Sequence, residues 1–92
     1  MSEPIDRFKA LIQIEQVKMP WLEEQTGISK SRWSNVRDGK AKMLASEIQA
    51  LASIWPEYAL WLTTGNELPD AGQVSPMTKQ AHALSKTVPA AG

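Results

Sequence analysis

Apolar residues recur along the chain at helical intervals, and no stretch alternates as a half-buried strand would. Ile5, Phe8, Leu11 and Ile12 mark the inner face of a first segment, Pro4 to Gln16, with Arg7, Lys9 and Gln13 on its outer side. Pro4 suits the first turn of a helix, and Ser2 or Glu3 its start. After the short connection Val17-Lys18-Met19, Pro20 opens a second, short helix, WLEEQ, whose apolar contacts come from Trp21 and Leu22. A third helix is expected over Ser29 to Asp38, with Trp33 and Val36 inward. Leu44, Ile48, Leu51, Ala52 and Trp55 form the stripe of a fourth, Leu44 to Trp55. Pro56 breaks that run and opens a fifth segment, PEYALWLTTG, which stops at Gly65.

Tyr58, Leu60, Trp61 and Leu62 make the fifth segment apolar on more than one side, so it needs a second surface to cover it. The C-terminal segment or another copy of the chain would serve. NELPDAGQVSP then reads as an extended link. Ser75-Pro76 is placed to start a weakly amphipathic helix, MTKQAHALSK, and Thr87 to Gly92 reads as a disordered tail. The expected architecture is all-α: a five-helix domain over residues 1–66, then a linker and tail over 67–92 with a short helix or none.

The stretch from Pro20 to Gly39 carries the most specific local signals. Gly27 supplies the left-handed conformation that a sharp turn between two helices requires, and Ser29 can accept an orphan N–H of the next helix. Gly39 stands just past that helix's end. The outer edge between these caps is Lys30, Ser31, Ser34 and Asn35, a polar surface of a kind that suits a DNA major groove.

Charge sharpens this picture. The 92 residues sum to a net charge of zero, which as an average argues against nucleic acid. The distribution is uneven: residues 29–42 hold Lys30, Arg32, Arg37, Lys40 and Lys42 against Asp38 alone, a net +4, while the blocks on either side each carry −2. Ser29, Arg32, Arg37, Lys40 and Lys42 are therefore the candidate phosphate contacts, and Lys30, Ser31, Ser34 and Asn35 the candidate base contacts. Gln25 and Thr26, at the end of the preceding helix, are weaker phosphate candidates. Of the four tryptophans, Trp33 and Trp55 sit at core spacings, whereas Tyr58, Trp61 and Leu62 suit a dimer surface.

Other chemistries find little footing. There is no cysteine and a single histidine, His82, which gives neither a disulfide framework nor a metal-ligand set nor a catalytic triad. No enzyme activity, cofactor or metal is expected. No apolar run has membrane-spanning length, and the charged, amphipathic start MSEPIDRFKALIQIEQ is not a secretory leader, so the expected location is the cytoplasm.

Residues 22–39, LEEQTGISKSRWSNVRDG, resemble the helix-turn-helix of the lambda repressor and Cro-like family. The likeness rests on Leu22, Gly27, Ile28, Ser29, Lys30, Trp33, Val36 and the Arg37-Asp38-Gly39-Lys40 ending. EYALWLTTGNELP is similar to the closing stretch of phage repressor DNA-binding domains, so the resemblance spans roughly residues 5–68. It implies a phage-type regulator that reads a palindromic operator as a homodimer. One position departs: Glu23 stands four residues before the turn glycine, where the family usually has a small residue. A protein-interaction module on the same scaffold, antitoxin-like or antirepressor-like, is the alternative that the acidic flanks and the aromatic fifth helix favour.

Overall fold

The computed structural model describes residues 3–87. Ser2, the alternative start signal, and residues 88–92 of the expected tail lie outside them. Six α-helices follow one another: α1 (Pro4–Ile14), α2 (Met19–Thr26), α3 (Lys30–Arg37), α4 (Ala45–Ile54), α5 (Ala59–Thr64) and α6 (Pro76–Thr87). Single 3₁₀ turns, Pro56–Tyr58 and Pro69–Ala71, precede α5 and α6. The described residues hold no sheet, only an isolated antiparallel bridge between Leu68 and Gln73.

Several helix ends have a local cause. Glu3 N–H donates to the Asp6 carboxylate at the start of α1, and Leu44 N–H to Glu47 at the start of α4. Both satisfy an N–H that the helix itself leaves open. Ser75 caps α6 by accepting the Thr78 N–H, and donates its own N–H to Glu67. At the end of α1, Val17 N–H reaches back to the Ile12 carbonyl across Gln16, which takes φ 56°, left-handed without being glycine.

Phe8, Leu11, Leu22, Trp33, Val36, Leu51, Tyr58 and Leu62 close the core. Phe8 of α1 and Trp33 of α3 meet at 5.3 Å between ring centroids, which fixes α3 against the first helix. A second group of rings runs through Trp21, Trp55, Tyr58 and Trp61, each within 6.4 Å of the next.

Three expectations change here. Arg7, placed on the outer side of the first helix, is buried: Nε donates to the Leu62 carbonyl at 3.2 Å and Nη2 to that of Thr63, satisfying the last turn of α5. Tyr58, Trp61 and Leu62 are 0%, 5% and 1% exposed, so they fill the core and offer no area to a second copy. The surface that covers the fifth segment is the chain's own return, residues 73–76. Gln73 accepts the Leu60 N–H and donates to the Pro56 carbonyl, and Val74 N–H donates to Glu57. The stretch read as an extended link is thus folded against α5. Lys79 then ties α6 down through a 2.7 Å bond to Glu57 and by lying over the Tyr58 ring.

Candidate nucleic-acid interface

The α2–α3 pair is held by one hydroxyl and one carboxylate. Thr26 Oγ1 donates to the Leu22 carbonyl at 2.6 Å and accepts both the Ile28 N–H and the Trp33 Nε1–H at 3.1 Å. One side chain thereby joins the end of α2, the turn and the buried face of α3. Its bonding capacity is used up, so Thr26 is a brace and not the phosphate contact considered for it. Gly27, at φ 74°, makes the turn. Glu23 of α2 reaches across the turn to accept the Lys30 N–H at 2.7 Å, and Ser29 Oγ accepts the Arg32 N–H. Two of the open donors at the start of α3 are satisfied in this way, and the Glu23 charge lies at the positive end of the helix.

The far end of α3 is equally defined. Lys40 N–H donates to the Asn35 carbonyl and Gly39 N–H to that of Val36, with Gly39 at φ 78°. This paired closure turns the chain sharply and projects the following loop, with Lys40 and Lys42 exposed.

Between these ends α3 buries Trp33 and Val36 completely. Its opposite edge brings the expected base-reading residues together: Lys30, Ser31 and Asn35 are exposed and Ser34 is half-buried. None of their side chains enters a hydrogen bond or ion pair among the described residues. They are free to meet a ligand.

The expected phosphate contacts divide. Ser29 is exposed and accepts the Arg32 N–H as the cap, which leaves its own O–H to donate. Arg32 is turned inward. Its Nε donates to Glu47 Oε2 at 2.6 Å, and its Nη2 to Glu47 Oε1 at 3.0 Å and to the Lys42 carbonyl at 2.6 Å. The guanidinium locks α3 to α4 and to the loop between them, a fork geometry that a lysine could not reproduce. Glu47 is 2% exposed; burial alone would raise its pKa, but the Arg32 bonds and the Leu44 N–H hold it below the ordinary 4.5. Arg37 pairs with Asp38 at 3.0 Å, each side chain about two-fifths exposed, and this bond lowers the Asp38 pKa. Lys40 and Lys42 remain unpaired among the described residues.

Lys9 joins them. Its charge, with that of Lys40, acts on Asp38, so α1 contributes a cation beside the end of α3. Lys9, Lys18 and Arg37 also line a shallow groove at the start of α2. The sequence signal for Lys9 is only its place on the outer face of α1; its proximity to Asp38 comes from the packing of α1 against α3.

His82 is exposed on α6, and the described residues hold no cluster of three His, Cys, Asp or Glu side chains arranged to bind a metal. No helix among them is long and apolar enough to cross a membrane.

Comparison with solved structures finds Pf6r, from the filamentous phage Pf6 of Pseudomonas aeruginosa PA01, at 34% identity and a TM-score of 0.78, with 92% of this chain and 99% of Pf6r covered. The chain belongs to the family of Pf6r. No family model matches it, and no curated protein does. The shared span takes in nearly all of Pf6r, so the likeness extends well beyond α2 and α3 to the whole helical body.

Proposed function

We propose that the chain is a sequence-specific, duplex-DNA-binding regulator of phage or prophage type. The observation that carries this reading is the edge of α3: Lys30, Ser31, Ser34 and Asn35 stand together, unpaired, on a helix whose other side is fixed by Phe8, Thr26 and Glu47. In this reading α2 and α3 form the helix-turn-helix of a lambda repressor-like domain. Asn35 and Lys30 supply the groups that bond adenine and guanine edges in the major groove. Lys40 and Lys42 from the loop, with Lys9 from α1, meet phosphates and set the register. Kinship with a filamentous-phage protein supports the phage setting.

One eight-residue helix offers few base contacts, so specificity favours a two-fold pair with the two α3 helices about 34 Å apart, one turn of DNA. Because Tyr58, Trp61 and Leu62 are buried, pairing falls to apolar side chains that remain exposed. Leu68, Met77 and Leu84 are 55%, 44% and 62% exposed, and Met77, Ala81 and Leu84 follow one stripe of α6. Lys79, from another side of that helix, is turned to the body by its bond to Glu57. A helix with its apolar stripe outward gains from a like helix laid across it.

Selection of duplexes from a random pool tests the reading. A recovered site with palindromic halves one turn apart, bound less tightly as salt rises, is the expected result. Absence of duplex binding even at low salt would overturn it.

A further inference from the structure

The aromatic row that runs through the molecule presents two pairings of ring and carboxylate, and only one of them holds a cation. At the inner pairing Lys79 lies 5.5 Å from the Tyr58 ring centre and bonds Glu57 at 2.7 Å, so ring and carboxylate share one ammonium. At the outer pairing, Trp21 of α2 and Trp55 after α4 form an open wedge, centroids 5.8 Å apart and planes inclined by 46°. Trp21 is 39% exposed, a large cost for an indole whose face could have been buried. Glu15 lines the same groove, of about 530 Å³, together with Gln16, Val17 and Lys18. The Tyr58 hydroxyl donates to Glu15 Oε2 at 2.7 Å and fixes the carboxylate from behind. Its Oε1 has no partner among the described residues.

We infer that this wedge binds a guanidinium, the arginine side chain of a protein partner's basic segment. Two indole faces and a fixed carboxylate are complementary to a planar cation, which stacks on a ring while donating to oxygen. A neutral apolar side chain would gain the indole contact but leave Glu15 unanswered. Lys18 stands on the rim of the groove. It makes neither an ion pair with Glu15 nor a cation–π contact with either tryptophan among the described residues. The groove is built from the connection between α1 and α2, from Trp21 of α2 and from Trp55 just after α4, and uses none of the exposed edge of α3. The inference therefore stands independently of DNA binding.

The test uses the full chain, a blocked Gly-Arg-Gly peptide and its citrulline counterpart, which keeps the shape and removes the charge. The indole N–H resonances are followed by NMR. The arginine peptide is expected to move the Trp21 and Trp55 signals with a Kd on the order of millimolar, leaving the buried Trp33 and Trp61 unmoved, and citrulline is expected to do neither. Glu15→Gln keeps an acceptor for Tyr58 and should weaken binding several-fold. Trp21→Ala, at an exposed position, should weaken it similarly, and Lys18→Ala should strengthen it. Equal responses to both peptides, no response at tens of millimolar, or unchanged binding in Glu15→Gln would each overturn the inference.

Discussion

The Glu23 carboxylate of α2 accepts the backbone N–H of Lys30 at 2.7 Å, so the helix that precedes the turn caps the one that follows it. Glu23 is the position at which the sequence departs from the lambda repressor and Cro-like pattern, and here its carboxylate makes a directed bond across the turn. Removing an N-terminal cap typically costs about 1 kcal/mol, and Glu23→Ala should destabilise the chain by that amount in denaturant unfolding. Glu23→Gln keeps an acceptor but loses the charge at the helix's positive end, so about half that loss is expected. Equal losses would mean that charge and not the hydrogen bond holds the end of α3.

Arg32 and Glu47 give a pH-dependent prediction. Burial pushes the pKa of Glu47 up, but the Arg32 bonds and charge together with the Leu44 N–H bring the folded-state value below its ordinary 4.5. Its contribution to stability is present above 4.5 and is lost as pH falls through the depressed folded value. In Arg32→Met the Arg32 bonds and charge vanish, while burial, the largest influence, and the Leu44 N–H bond remain, and the pKa of Glu47 should rise above 4.5. The variant's deficit in melting temperature should accordingly be largest near pH 7 and shrink towards pH 4. Glu47→Ala removes the buried carboxylate itself and leaves an arginine that water can reach, so it should cost about 1–2 kcal/mol, less than Arg32→Met. A deficit in Arg32→Met that is independent of pH would show that the pair acts through packing alone.

These two relationships mark where the sequence was and was not legible. The frame of α3 depends on neighbours within a few positions: Ser29 at its start, Gly39 at its end, and Trp33 and Val36 one turn apart on its inner side. Short-range rules suffice to place them. The partners of Arg32, Tyr58 and Arg7 stand 15, 43 and 55 positions away, and no periodicity reports them. Arg32 therefore counted as one more cation on a basic segment, although its charge is spent on Glu47. Tyr58, Trp61 and Leu62 looked like surplus apolar area because the return of Gln73 and Val74 onto α5 is set by tertiary bonding, not by a local pattern.

Backbone conformation supplies a contrasting pair of substitutions. Gln16 and Gly39 both end a helix in the left-handed region, at φ 56° and 78°. A side chain there costs about 1–2 kcal/mol, partly offset by the greater freedom that glycine loses on folding. Gln16→Gly should therefore stabilise by about 0.5–1 kcal/mol. Gly39→Ala should destabilise by about 1 kcal/mol, through the backbone alone, because a Cβ at that position meets nothing within 4 Å. Thermal unfolding of the two variants reads both signs, and the same sign for both would contradict the account.

Pairing through α6 makes a separate demand. Met77→Glu with Leu84→Glu introduces like charges on the exposed stripe of α6. Sedimentation should show a monomer with unchanged helical circular dichroism. Binding to a palindromic duplex should fall at least tenfold, since half-sites would no longer be linked, while binding to a single half-site should persist. A double variant that stays dimeric would place the contact elsewhere.

The unpaired cations set the expected electrostatics of DNA binding. Each phosphate neutralised contributes about −0.9 to the slope of log affinity against log salt. Lys9, Lys40 and Lys42 together therefore predict about −3 per protomer, well short of what all the basic residues in and around α3 would give. Lys40→Ala and Lys42→Ala should each reduce that slope by about one and weaken cognate and random duplexes alike. Arg37→Ala should change it less, because Asp38 already answers part of that charge. Asn35→Ala should leave the slope intact and cost about 1–3 kcal/mol on the cognate duplex only. Equal losses on cognate and random duplexes for Asn35→Ala would remove it from base recognition, and an unchanged slope in Lys40→Ala would remove the loop after α3 from the phosphate contact.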